Sequence, residues 1–254
     1  MNTRKDQLQA FERLLDIMDE LREKCPWDRK QTMETLRTLS IEEIYELSDA
    51  IIEKDSDEIK KELGDVFLHL VFYAKIASEQ KDFDIADVLN GICEKLIHRH
   101  PHIYGETKAD TEEEVLQNWE QIKLKEGNKS VLSGVPTSLP AMVKAYRIQD
   151  KVKGVGFEFE NSDQVFDKII EEINEFKEEQ NSTAKEMEFG DILFSLINYG
   201  RFIGINSEDA LERSNKKFIA RFQKLEEIAK ENDQNLADLT ISELDKLWNL
   251  AKIR

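Results

Sequence analysis

Two sets of carboxylates recur in the same order about half a chain apart in this 254-residue sequence. The first is Glu42, Glu43 and Glu46, followed by Glu62 and Asp65; the second is Glu171, Glu172 and Glu175, followed by Glu188 and Asp191. Each copy reads E-E-x-x-E, a short gap, then E-x-G-D. The leading blocks are offset by 129 positions (Glu42 to Glu171) and the trailing blocks by 126 (Glu62 to Glu188), so one copy has lost three residues in between. Carboxylates gathered at one point repel one another and resist ionisation unless a cation sits among them. All-oxygen donor sets suit hard divalent ions, and Mg2+ in particular is held by a few carboxylates together with the phosphates of a substrate. One E-E-x-x-E is ordinarily a solvated helix face. Both blocks, in order, in both halves, point to chemistry.

Helices must position these acids. At about 100° per residue, Glu42, Glu43 and Glu46 share an arc roughly 100° wide, as do Glu171, Glu172 and Glu175. Ile41, Ile44, Leu47 and Ile51 fall on the remaining side and are expected to face the core, with Ile170, Ile173 and Phe176 as their counterparts. Glu62 and Asp65 are three apart and share a face of the next helix, as do Glu188 and Asp191. A short loop between the two helices favours antiparallel neighbours, which brings four carboxylates toward one point. A glycine inside a helix costs about 1 kcal/mol relative to alanine, so Gly64 and Gly190 are expected to permit a close helix approach.

Apolar spacing at three and four predicts further helices. One runs from Leu8 through Leu21 and ends at Cys25-Pro26. Others cover about 36–52, a stretch capped by Ser56 through Ala74, and a stretch from Asp84 through Leu96. Thr111 and Glu114 form a capping box for a short helix through Trp119 and Ile122, and 127–140 has linker composition. Helices are then expected near 142–152, 162–179, 184–203, 207–232 and 241–252. No strand alternation is visible. The expected fold is all-α: two tandem four-helix units at 1–105 and 141–254, joined by a linker with a short helix at 106–140.

Composition excludes several classes. A net charge of −17 argues against a duplex nucleic-acid binder, which needs a basic face. Cys25 and Cys93 lack any C-x-x-C spacing, so neither a disulfide scaffold nor a thiolate zinc site is expected. No apolar run approaches the ~18 residues of a membrane span, and the polar start carries no signal-peptide core. These features place the protein in the cytoplasm. A di-iron bundle needs Glu-x-x-His, where this chain has Glu-x-x-Asp. His98, His100 and His102 alternate over a helix end and read as cap or loop residues, and Trp27 as a packing anchor.

On these residues the chain resembles the MazG family of nucleoside triphosphate pyrophosphohydrolases. The carrying motifs are the doubled E-E-x-x-E and E-x-x-D, Cys25-Pro26-Trp27-Asp28, His98-Arg99-His100-Pro101-His102, Gly134-Val135-Pro136, Val155-Gly156-Phe157, Lys217-Phe218-x-x-Arg221-Phe222 and Trp248. The resemblance implies an all-α fold, homodimers, Mg2+ dependence with Mn2+ as the alternative, and cleavage of nucleoside triphosphates between the α and β phosphates. It implies metal ligands at Glu172, Glu175, Glu188 and Asp191, with a second candidate set at Glu43, Glu46, Glu62 and Asp65. Glu171 joins Glu172 and Glu175 as a catalytic carboxylate that positions water. Lys168, Lys185, Lys217 and Arg221 are implied as phosphate contacts and Trp248 as a nucleotide contact. Lys95 and Arg99 repeat the Lys217–Arg221 spacing, but the counterpart of Lys168 is Leu39. The second half is therefore the expected site of hydrolysis. A dUTPase-like hydrolase of narrower specificity and a non-catalytic nucleotide-sensing scaffold stay open as alternatives.

Overall fold

Local capping chemistry starts most of the helices. In a computed structural model of the chain, which describes residues 2–111, 114, 115, 118, 119, 122 and 130–253, the regular structure is helical. Thr3 opens α1 (Arg4–Lys24) through a capping box with Asp6, and Thr32 opens α2 (Met33–Glu53) with Thr35. Asp55 accepts from the amides of Asp57 and Glu58 to open α3 (Ser56–Gln80). The cap is thus Asp55 and not Ser56, because the carboxylate precedes the first helical residue and reaches two free N–H groups. Asp84 opens α4 (Ile85–Arg99), and Pro101 then starts a one-turn α5 (Pro101–Tyr104). Later come α6 (Ala141–Lys153), α7 (Ser162–Glu178), α8 (Ser182–Phe202), α9 (Ser207–Glu231) and α10 (Ile241–Ile253). Asn161, Asn181 and Asn206 cap α7, α8 and α9. The Thr111–Glu114 capping bonds are present; much of the short helix expected after them lies outside the described residues.

The contacts divide the chain into two compact units, Met1–Asp110 and Thr111–Arg254. In the first, α2 packs on α3, and α3 also meets α1 and α4. Its core is Met18, Leu36, Val71, Phe72 and Ile76, with Phe11, Leu14 and Leu39 packed against it. Leu36 is fully buried, and truncating such a side chain to alanine costs about 2–5 kcal/mol. Arg22 ties three pieces of this unit together. Its guanidinium donates to the Asp28 and Gln31 carbonyls and to both Glu79 oxygens, the latter at 3.0 and 2.5 Å. In the second unit α7 packs on α8, α6 on α8, and α9 on α10. Leu225, Ile228, Ala229, Leu247 and Ala251 form a cluster there.

Several apolar expectations fail within one chain. Ile41, Ile44 and Ile51 are exposed, as is Ile170. Helix α4 buries no residue, and Val88, Leu89, Ile92 and Leu96 all lie open. Periodicity identified these stripes correctly as apolar, but no element of the same unit covers them. Trp27 is likewise exposed rather than anchored. A Cβ added at Gly64 or Gly190 would meet nothing within 4 Å, so neither glycine serves a close approach inside its own unit.

Candidate active site

The antiparallel pair α2–α3 carries Glu43 on one helix and Glu62 and Asp65 on the other, and their carboxylate oxygens lie within 4.8 Å of one another. The pair α7–α8 repeats this with Glu172, Glu188 and Asp191. Three of the four acids expected at each site therefore converge. Glu46 and Glu175 fall outside these groups, yet their charge acts on Glu43 and Glu188 respectively. Burial first, then the neighbouring carboxylates Asp65 and Glu46, push the Glu43 carboxyl above its ordinary range. The same causes, burial followed by Glu175 and Asp191, raise Glu188.

Each group holds one lysine, and the two lysines come from different places. In the second unit Lys168, one turn before Glu172 on α7, lies 2.7 Å from Glu172 Oε1 and 2.8 Å from Glu171 Oε1. Hydrogen bonds to Glu171 and Glu172 raise its ammonium above the usual lysine range. In the first unit Lys61, next to Glu62 on α3, donates to Glu62 Oε1 at 2.8 Å and to Glu58 at 3.3 Å. The comparison of Lys168 with Leu39 overlooked this cation, although a lysine directly before the first E-x-G-D was visible. One lysine against three carboxylates leaves two negative charges. Glu62 Oε2 is buried with no hydrogen-bond partner, an expensive state for a carboxylate oxygen. An all-oxygen set with an orphaned buried oxygen fits a hard divalent cation.

Surroundings separate the two groups further. Ser195 of α8 and His69 of α3 occupy equivalent positions one turn after Asp191 and Asp65. His69 Nδ1 sits 2.9 Å from Ser40 Oγ, which also lies 2.8 Å from the Tyr73 hydroxyl. In the second unit a cavity of about 530 Å3 shares Lys168, Glu172 and Asp191 with the carboxylate group. It continues past Phe194 and Ser195 to Gln149 and Asn198, residues that no motif signalled.

The other expected contacts lie elsewhere in the second unit. The Lys185 ammonium is 4.9 Å from the centre of the Phe176 ring and 3.4 Å from the Glu179 carbonyl, across the α7–α8 loop. Lys217 is exposed and Arg221 half-buried on α9. Between them Phe218 packs at 5.1 Å on the ring of Trp248 from α10.

Residues 31–104 match the MazG nucleotide pyrophosphohydrolase domain. The chain is 43% identical over 247 residues to the nucleoside triphosphate pyrophosphohydrolase/pyrophosphatase MazG of Thermotoga maritima, covering 95% of each chain. It belongs to the MazG family. The nucleoside triphosphate pyrophosphohydrolase of Escherichia coli K12 is 38% identical over 257 residues, or 96% of this chain and 98% of that one. An uncharacterized protein of Bacillus subtilis, YabN, is 45% identical over 254 residues, 95% of this chain and 51% of its own length. The domain match spans α2 to α5 with the first carboxylate group, whereas the alignments to MazG relatives extend over both groups. No helix among the described residues is long and apolar enough to cross a membrane.

Proposed function

We propose that this MazG protein is a nucleoside triphosphate pyrophosphohydrolase whose second unit performs the reaction, releasing pyrophosphate and a nucleoside monophosphate. The observation that carries the reading is the meeting of Glu172, Glu188 and Asp191 with Lys168 at a cavity wide enough for a nucleoside. Glu172, Glu188 and Asp191, with Glu175 beside them, would hold Mg2+ or Mn2+. The ion, when bound, would supply charge neutralisation on phosphate oxygens and a more acidic water.

The protein's own residues do the remainder. Lys168 is held by two carboxylates and keeps its charge, so it stabilises negative charge that grows on the departing pyrophosphate. Glu171, exposed and bonded to Lys168, is placed to orient the attacking water and take its proton. Lys185, Lys217 and Arg221 serve as further phosphate contacts and Trp248 as a nucleotide contact, on the family resemblance. The first unit, with its intact acids, acts on a different set of nucleotides or as a regulatory copy. Uncovered apolar stripes on α2 and α4 support a homodimer, since a monomer seldom leaves such faces open to water. The cellular role that follows is removal of unwanted nucleotides in the cytoplasm.

Pyrophosphate release from a panel of nucleoside triphosphates, with Mg2+ and after chelation, tests the reading. Glu172→Gln should lower kcat/KM on the order of 1,000-fold, a loss typical of a removed metal ligand. Glu43→Gln should change it by less than about 3-fold, inside the spread of distant substitutions. Full activity in the Glu172 variant would remove the second unit from the reaction. A dUTP-only enzyme would support the narrower dUTPase-like reading.

A further inference from the structure

The cavity beside Glu172 ends in a polar wall that the carboxylate chemistry does not use. Gln149 of α6 is 3% exposed. Its Nε2 donates to the Phe194 carbonyl at 2.8 Å, which fixes the amide orientation, because the reverse would set two oxygens against each other. Gln149 Oε1 is left buried with no hydrogen-bond partner. A buried amide oxygen without a donor costs about 1–3 kcal/mol, a penalty that a ligand N–H would remove.

Asn198 of α8 lines the same cavity, one helical turn beyond Phe194. Its Oδ1 accepts from Arg201 at 3.2 Å (Nε) and 2.8 Å (Nη2). Arg201 has only donors to give, so this amide is oriented too and leaves Nδ2 to donate elsewhere. Arg201 is itself neutralised by Glu158, at 2.9 and 2.6 Å. The far end of the cavity thus offers one acceptor, one donor and no free charge. Phe157, Phe159 and Phe194 supply aromatic surface around it. A phosphate would meet no free cation there and would face the Gln149 oxygen, whereas a flat, neutral group with a donor beside an acceptor pairs with both amides. The volume of about 530 Å3 lies within the roughly 300–1,000 Å3 of small-molecule sites.

We propose that this cavity takes the nucleobase of the substrate, with Gln149 Oε1 accepting from an N–H on the base edge and Asn198 Nδ2 donating to the acceptor next to it. This rests on the functional reading above and adds its specificity rule. Adenine, cytosine, guanine and uracil each present an N–H beside an acceptor on that edge. The site therefore accepts all four bases and rejects a triphosphate whose edge carries no N–H. The Trp248 ring, packed on Phe218, has no part in this edge recognition.

The test compares ATP and UTP with N6,N6-dimethyl-ATP, N3-methyl-UTP and ribose 5-triphosphate on the wild-type enzyme, so that folding is not at issue. The base-edge methyls should lower kcat/KM at least about 10-fold, the usual result of leaving a buried polar group unpaired. Gln149→Met should then shrink the preference for ATP over ribose 5-triphosphate by about the same factor. Equal rates on methylated and unmethylated nucleotides overturn the proposal, as does a Gln149→Met variant whose rates fall equally on ATP and ribose 5-triphosphate. A wild type that cleaves nucleotides only through Glu172 but ignores the base edge defeats this inference alone. A wild type that releases pyrophosphate from none of them defeats the functional reading and this inference with it.

Discussion

The two carboxylate groups of this protein are built alike and furnished differently. Both rise from an antiparallel helix pair, both converge on three acids, and both hold one lysine. In the first unit the lysine is Lys61, on the same helix as Glu62 and immediately before it; in the second it is Lys168, on α7 a full turn before Glu172. Adjacent residues on a helix point about 100° apart, so Lys61 reaches its partner from the flank. Lys168 instead stands above Glu172 on the same face, at the edge of the cavity, where an incoming phosphate would meet it. The acids match between the two groups, and the cation beside them differs in where it stands.

The widest gap between the units should open when the lysines are removed. Lys168→Met is expected to lower kcat/KM for nucleoside triphosphates on the order of 100-fold, comparable with losing one preorganised donor to a developing anion. Lys61→Met should stay within about 2-fold, since its ammonium is engaged by Glu62 and Glu58 away from the reaction. Equal losses from the two variants would mean that both units catalyse, and the asymmetry would collapse.

Cation binding should be more even, because the donor sets match. Mg2+ at about 100 times its Kd is expected to stabilise each unit by roughly 2.7 kcal/mol, read as a rise in Tm. Glu62→Gln should cancel the rise belonging to the first unit and Asp191→Asn that belonging to the second. A rise abolished by one variant alone would leave the other group without an ion.

How these features were legible differs by residue. The acids stood out because hard-cation chemistry demands one residue type at helical spacing, so Glu43, Glu62, Asp65 and their repeats could be read directly. Helix limits followed from caps such as Thr3, Asp84 and Asn161, whose side chains satisfy local N–H groups without tertiary help. Gln149 and Asn198 were invisible because they line one cavity from different helices and obey no spacing rule. Ile41, Ile44 and Leu89 were readable as apolar but not as uncovered, since periodicity reports a stripe and says nothing about what packs on it.

Leu39 sharpens the comparison from the structural side. It stands at the position equivalent to Lys168, yet it is a half-buried residue packed against the core cluster of the first unit. Leu39→Lys is therefore expected to cost about 2 kcal/mol from lost apolar burial and to leave the first unit without new activity. A stable Leu39→Lys variant with faster hydrolysis would mean that the missing lysine alone silences the first unit.

The smallest expected effect concerns pH. Arg22, half-buried with its guanidinium 5.5 Å from the centre of the Phe72 ring, holds the Glu79 carboxyl below its usual range, chiefly through their hydrogen bonds. A carboxyl whose folded value is depressed adds stability above the unfolded pKa, and that stability disappears as pH falls through the folded value. Glu79 is 38% exposed, and screening limits its contribution to under about 1 kcal/mol. Glu79→Gln should accordingly lower the Tm of the first unit slightly at pH 7, and the gap from wild type should close in acid. Glu79 belongs to the first unit, so the transition of the second should not respond to the substitution. A pH-independent gap would assign the effect of Glu79 to packing around Arg22 rather than to charge.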